Sequence, residues 1–252
     1  MRFTTYAFGA LLLATTAPAF ADDTAPPPAL SVSGSATIVS DYRFRGLSQS
    51  DLKPALQGGI TISHESGFYV STWGSSIDDY IANGSDQEID LIAGYSKTLS
   101  SGVKLDGGLL YYYYPGGGHA NTDFAEPYLD VSGTLGPVTA KVTANYAWKQ
   151  RALSLDGVHK EDNLYLAGDL SSGIPGTPLS VSAHLGHTFG QSYISVGDGY
   201  TDWGLGASYT WKHLTFGLNY VDTDKDAYIL DSHAHVRNIG RGGVVASVGL
   251  SF

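Results

Sequence analysis

Gly243-Val244-Val245-Ala246-Ser247-Val248-Gly249-Leu250-Ser251-Phe252 closes the chain, and its reading decides the fold. Side chains of an extended strand alternate between two faces. Val244, Ala246, Val248, Leu250 and Phe252 therefore share one face, and Val245, Ser247, Gly249 and Ser251 share the other. One face is wholly apolar; the other is mostly small or polar. Composition agrees with sheet throughout: 32 of 252 residues are Gly and 17 are Tyr, against a single Met. Such residues suit pleated, curved strands better than helices.

The same alternation repeats along the chain, and it is the primary signal for strands. Leu30, Val32, Gly34, Ala36, Ile38, Tyr42 and Phe44 alternate with Ser31, Ser33, Ser35, Thr37, Asp41, Arg43 and Arg45. Val103, Leu105, Leu109, Tyr111 and Tyr113 oppose Lys104, Asp106, Gly108 and Tyr112. Val138, Ala140, Val142, Ala144, Tyr146 and Trp148 oppose Thr139, Lys141, Thr143 and Asn145. The pattern predicts twelve strands, beginning near residues 30, 54, 68, 87, 103, 124, 138, 162, 179, 200, 214 and 242. Links after even-numbered strands are short, such as Lys212-His213, whereas those after odd-numbered strands are long and polar, such as Asp222 to Arg241. Strict alternation of turn and loop predicts an all-β, up-and-down antiparallel transmembrane β-barrel, with short periplasmic turns and longer extracellular loops. Greek-key links of a sandwich would not produce it.

The amino terminus predicts export. Arg2 precedes an apolar run from Tyr6 to Ala14, and Ala19-Phe20-Ala21 precedes Asp22. Residues 1–21 read as a cleaved signal peptide, too short in its apolar core to span a bilayer. Residues 22–29, with Pro26, Pro27 and Pro28, read as a Pro-rich periplasmic leader, and residues 30–252 as the barrel. The terminal strand ending on Phe252 resembles the closing strand of a bacterial outer-membrane barrel. That resemblance implies the outer membrane of a Gram-negative bacterium as location and recognition by the barrel-insertion machinery through Phe252. Outer-membrane lipids and lipopolysaccharide are the expected surroundings.

Aromatic residues near strand ends predict girdles at the membrane interfaces. Trp73, Trp148 and Trp203 fall at outer ends and Trp211 at an inner end, with Tyr69, Tyr146 and Tyr220 beside them. Inward positions supply the candidate pore lining: Asp41, Glu88, Asp90, Asp106, Glu126, Asp130, Asp169 and Asp202, against Arg43, Arg45, Lys104 and Lys141. Eight acids against four bases predict a lumen that favours cations. Neighbouring strands also offer pairings, Lys104 with Glu88 and Asp90, and Lys141 with Asp130. Arg43 and Arg45 either face the acids across the pore or tie down the acidic segment Ile77 to Asp86. Twelve strands lie between a barrel filled by its own side chains and a water channel, so a narrow pore and a plugged one both remain open.

Other chemistries fit less well. The absence of Cys excludes disulfides and thiolate metal sites, and a net charge of −10 argues against nucleic acid as partner. Asp222, Asp224 and Asp226 have the opening spacing of a calcium loop, but Ala227 replaces the required Gly and His233 stands where the bidentate Glu belongs. His233 and His235 lack a third ligand. Gly116-Gly117-Gly118 lacks the Lys and Ser/Thr of a phosphate loop. His184 shares a strand face with Ser180 and Ser182, without a nucleophile elbow. No metal or cofactor is expected. A diffusion channel for ions or small polar solutes leads, ahead of an outer-membrane lipid hydrolase and a closed structural or surface-binding barrel.

A longer motif points the same way. Ser40-Asp41-Tyr42-Arg43-Phe44-Arg45-Gly46-Leu47-Ser48-Gln49-Ser50-Asp51, then Pro54-Ala55-Leu56-Gln57-Gly58-Gly59, resembles the signature of the TorF-type family of outer-membrane porins. Ser66 to Val70, Trp73-Gly74-Ser75, the tyrosines before Pro115 and Glu126 to Tyr128 continue the likeness. It implies an outer-membrane barrel with pore activity; residues 149–240 carry no motif of that family.

Overall fold

The computed structural model describes residues 29–118, 120–230 and 235–252. The expected signal peptide, all of the leader but Ala29, and His233 lie outside the described residues. Twelve long strands form one closed barrel: β1 (Leu30–Val39), β2 (Ala55–His64), β3 (Phe68–Ser76), β4 (Gln87–Thr98), β5 (Lys104–Tyr113), β6 (Phe124–Leu135), β7 (Val138–Gln150), β8 (Glu161–Gly173), β9 (Leu179–Phe189), β10 (Tyr200–Trp211), β11 (Leu214–Thr223) and β12 (Gly243–Ser251). Each starts within one residue of the position expected from alternation. Every pairing is antiparallel between sequence neighbours, and β12 returns to β1. Closure leaves no strand edge, which a bilayer would otherwise leave without hydrogen-bond partners.

The closing seam runs from Ser35 opposite Ser251 to Val39 opposite Ser247. Beyond it, the Phe252 N–H donates to the Gly34 carbonyl at 3.0 Å, and the Gly34 N–H donates to the Phe252 carbonyl at 2.9 Å. The Phe252 ring lies over Gly34, where a Cβ would come within 2.6 Å of it. Only glycine leaves that space.

Outward side chains form an oily wall. Val32, Leu56, Leu205 and Leu218 are each about 60% exposed or more. An apolar surface of this extent requires a lipid-like surrounding. Trp148, Trp203 and Trp211 share the outward parity, as expected. Trp73 does not. It is buried inside the barrel, its ring 5.5 Å from that of Tyr42 in an edge-on arrangement. Tyr69 also faces inward, donating its hydroxyl to Asp106 at 2.7 Å. In β3 the outward set is Phe68, Val70 and Thr72. Both faces of this strand carry aromatics, so composition alone pointed to the wrong one.

The second departure concerns residues 40–54. Alternation carried the first strand to Phe44 and put Tyr42 and Phe44 on the lipid face. Instead β1 stops at Val39 and the chain turns into the barrel as a strap. Arg43–Phe44 pairs with Leu47–Ser48 as a minute hairpin. Its two central residues, Arg45 and Gly46, both have positive φ (48° and 81°), the condition of a type I′ turn. Tyr42 packs against Trp73 and the Phe44 ring lies 5.9 Å from that of Tyr112. Seen from β1, the apolar pattern continues; its destination is the core of the lumen.

Candidate functional site

The strap crosses the lumen at the end carrying the long loops. From the turn between β1 and β2, Arg45 reaches the Glu126 carboxylate with paired hydrogen bonds of 2.8 Å and donates to Asn163 Oδ1 at 2.9 Å. Glu126 lies on β6 and Asn163 on β8, each five strands from β1 in opposite directions round the barrel. One guanidinium therefore ties the strap to the far wall. Its plane also lies 4.4 Å from the Tyr165 ring and 4.7 Å from that of Phe44. A fork-to-carboxylate pair stacked on aromatics is the arrangement Arg makes and Lys does not. Glu126 is fully buried, so it depends on that pairing.

Arg43 turns to the strap itself and to the loop before β12. It pairs with Asp41 and donates to the carbonyls of Gly46 at 2.9 Å and Arg241 at 3.0 Å. Neither arginine holds the segment Ile77 to Asp86, as the sequence offered. That segment meets the strap through Lys53, 3.4 Å from Asp78, and through the Asp78 N–H donated to the Gln49 carbonyl at 2.8 Å. Tyr80 donates to the Ser48 carbonyl at 2.6 Å, and burial pushes its hydroxyl well above the usual range.

Below the strap a cavity of about 380 Å³ extends toward the short turns. Its lower wall is Ser96, Thr98, Ser132, Thr134, Thr139 and Ser171; its upper wall includes Asp90, Tyr112 and Tyr165. Between them runs a charged belt. Lys141 lies 3.8 Å from Asp130, as expected, and 3.6 Å from Asp169, its cross-strand partner. His184 Nδ1 lies 2.7 Å from Asp169 and its Nε2 lies 2.9 Å from Asp202. Both ring nitrogens thus face carboxylates, an arrangement satisfied when both donate. Tyr165 donates to Asp202 at 3.2 Å, linking this belt to the ring on which Arg45 stacks.

All twelve charged candidates face the interior, but not all the expected pairs form. Lys104 pairs with Asp106 at 3.2 Å, not with Glu88 or Asp90. It lies opposite Thr98, whereas Glu88 and Asp90 lie at the other end of β4. Glu88 instead accepts the hydroxyls of Tyr42 at 2.7 Å and Tyr114 at 3.0 Å. Asn163 and Tyr165 escaped notice in the sequence, though they share the inward parity of Asp169 on β8. The remaining motifs disperse. Asp224 accepts the Thr201 N–H at 2.7 Å, Asp226 accepts from Asn238 at 2.6 Å, and Asp222 accepts from Tyr220 at 2.7 Å. Among the described residues no group of three side chains could hold a metal. His184 spends both nitrogens on carboxylates, so Ser180 and Ser182 gain no base from it.

The barrel aligns with solved structures of outer-membrane porins and channels. A structure of the NanC porin aligns with a TM-score of 0.56 at 12% identity, covering 88% of this chain and 99% of that one. The outer membrane channel DcaP of Acinetobacter baumannii aligns at 12% identity and a TM-score of 0.42, covering 88% and 97%. The likeness is one of fold: a closed twelve-strand antiparallel barrel resembling outer-membrane porins. No curated protein matches the chain. Residues 23–252 match the model of a family described as "Bacterial protein of unknown function (Gcw_chp)". The chain belongs to that family.

Proposed function

We propose that the barrel is a narrow outer-membrane channel through which small cations and polar solutes diffuse, with the strap setting its bore. The short turns face the periplasm and the long loops the exterior. The observation that carries this reading is the polar, charged lumen within an oily wall. Eight carboxylates (Asp41, Glu88, Asp90, Asp106, Glu126, Asp130, Asp169, Asp202) face four fixed cations (Arg43, Arg45, Lys104, Lys141) there. Charged linings select ions by sign, and the imbalance favours cations. The TorF-type likeness of residues 40–59 supports the same activity.

The strap favours a second reading, a barrel closed at rest. Planar-bilayer recording of the refolded protein under a KCl gradient separates the two. Discrete steps whose reversal potential favours K⁺, weakening as salt screens the lumen charges, support the channel. Silence from a folded, inserted barrel supports the closed form.

A further inference from the structure

Among the described lumen carboxylates Asp90 alone joins an unpartnered oxygen to the lack of an ion pair; Asp130 also has an unpartnered Oδ1 but is paired with Lys141. Asp90 is about nine-tenths buried, it borders the cavity, and its Oδ1 has no hydrogen-bond partner. Every neighbouring acid is provided for. Glu126 holds Arg45, and Glu88 accepts two tyrosine hydroxyls. Asp41 holds Arg43 and accepts the Ser48 hydroxyl at 2.6 Å. Asp90 and Glu88 are two positions apart on one face of β4, and among the described residues no ion pair reaches either. A buried carboxylate without a cation is disfavoured unless it takes up a proton or a cation is supplied to it.

The walls beside Asp90 say what could do so. Its cross-strand partners are Trp73 on β3 and Tyr112 on β5, both buried aromatics; Tyr112, with Tyr42 and Phe44, lines the cavity beside it, and Trp73 packs behind. Aromatic faces beside a carboxylate attract an organic cation, which gains charge pairing and ring contact together. A bare metal ion would want several oxygen ligands, and these flanking positions supply rings instead. The cavity below has the volume of a small-molecule site.

We propose that Asp90, beside Tyr112, Tyr42 and Phe44, is the recognition point for the ammonium or guanidinium group of a small organic solute held in the lumen cavity. This names a solute class for the channel proposed above and rests on that reading for its physiological meaning, while the binding itself does not.

The test uses n-butylguanidinium, with n-butylurea as its uncharged counterpart of the same shape. Calorimetric titration of the full refolded protein in detergent reads binding; current block in a bilayer reads passage. Expected is saturable binding of n-butylguanidinium and none of n-butylurea. Asp90→Asn should weaken binding by about tenfold or more, the order expected for a lost charge-assisted hydrogen bond. Asp90→Glu should retain it. Equal binding of the two probes, or of wild type and Asp90→Asn, overturns the site. Should Asp90→Asn fail to fold, the two-probe comparison on wild type still decides. Binding without conductance keeps the site and removes the channel; conductance without binding does the reverse.

Discussion

The two halves of the lumen are built on opposite plans. Toward the short turns the wall is mostly Ser, Thr and Gly, with Tyr69, Tyr128, Lys104 and Asp106 on one side, and a cavity remains. Toward the long loops the wall carries Trp73, Tyr112, Phe124 and Tyr165, and residues 40–54 narrow what remains. A smaller barrel closes itself with wall side chains alone. Here the closure at one end is a separable segment, fixed at its two ends, tied to the far wall by one guanidinium and to the loops through Arg43, Ser48, Gln49 and Lys53. Obstruction of this kind can be removed without dismantling the wall.

Arg45→Ala tests that difference most severely. It leaves Glu126 buried and unpaired, a defect worth about 3–5 kcal/mol. The strap should release, raising single-channel conductance several-fold. An unchanged conductance would mean that the strap is not the constriction. Arg45→Lys should fall between, because the charge stays while the fork is lost.

Gly46→Ala attacks the same strap through its backbone. The φ of 81° disfavours any side chain, and a Cβ would come 2.3 Å from the Thr223 methyl and 2.8 Å from Asp202 Cβ. A cost of about 1–3 kcal/mol is expected, visible as a smaller conductance rise and earlier protease cleavage within 40–54. The lower half should answer differently. Ser182→Phe narrows an inward position there. It should leave wild-type conductance almost unchanged yet roughly halve that of Arg45→Ala, because resistance moves to the lower half once the upper one opens.

The smallest effect is expected outside the barrel wall, in the loop between β7 and β8. His159 Nδ1 lies 2.6 Å from Asp156 Oδ2. That hydrogen bond raises the imidazole above its ordinary 6.5 and lowers the carboxyl well below its ordinary 3.8. The Asp156 contribution is present above 3.8 and lost as pH falls through the lowered folded value. The His159 contribution is present below 6.5 and lost as pH rises through the raised one. Asp156→Asn should return the His159 titration, followed by NMR, toward its ordinary value. Conductance should not change. A conductance effect would extend the constriction to this loop.

The same division explains what the sequence revealed. Strand positions were legible because alternation is local: β1 through β12 each declare an oily face within about ten residues. Inward parity likewise put the charged residues of the wall strands, from Glu88 to Asp202, on the interior face, whereas Asp41, Arg43 and Arg45 lie on the strap. What stayed hidden depends on distant partners. Nothing local to Arg45 announces Glu126 or Asn163, and parity continued smoothly from Val39 through Phe44 although the chain had left the wall. Lys104 went to Asp106 because the short turn between β4 and β5 sets Lys104 opposite Thr98 and leaves Glu88 and Asp90 at the far end of β4. Trp73 was misplaced because strand propensity does not choose a face.

The seam between Gly34 and Phe252 has a further consequence for how the molecule comes into being. These contacts join the first strand to the final residue, the longest sequence separation the barrel contains. Loop closure on that scale is slow, and no earlier pairing can substitute for it. A chain lacking its last few residues would hold two open edges facing each other. Shortening the chain by one strand-end should therefore trap an unclosed sheet prone to aggregation, with the strap deprived of the cylinder it spans.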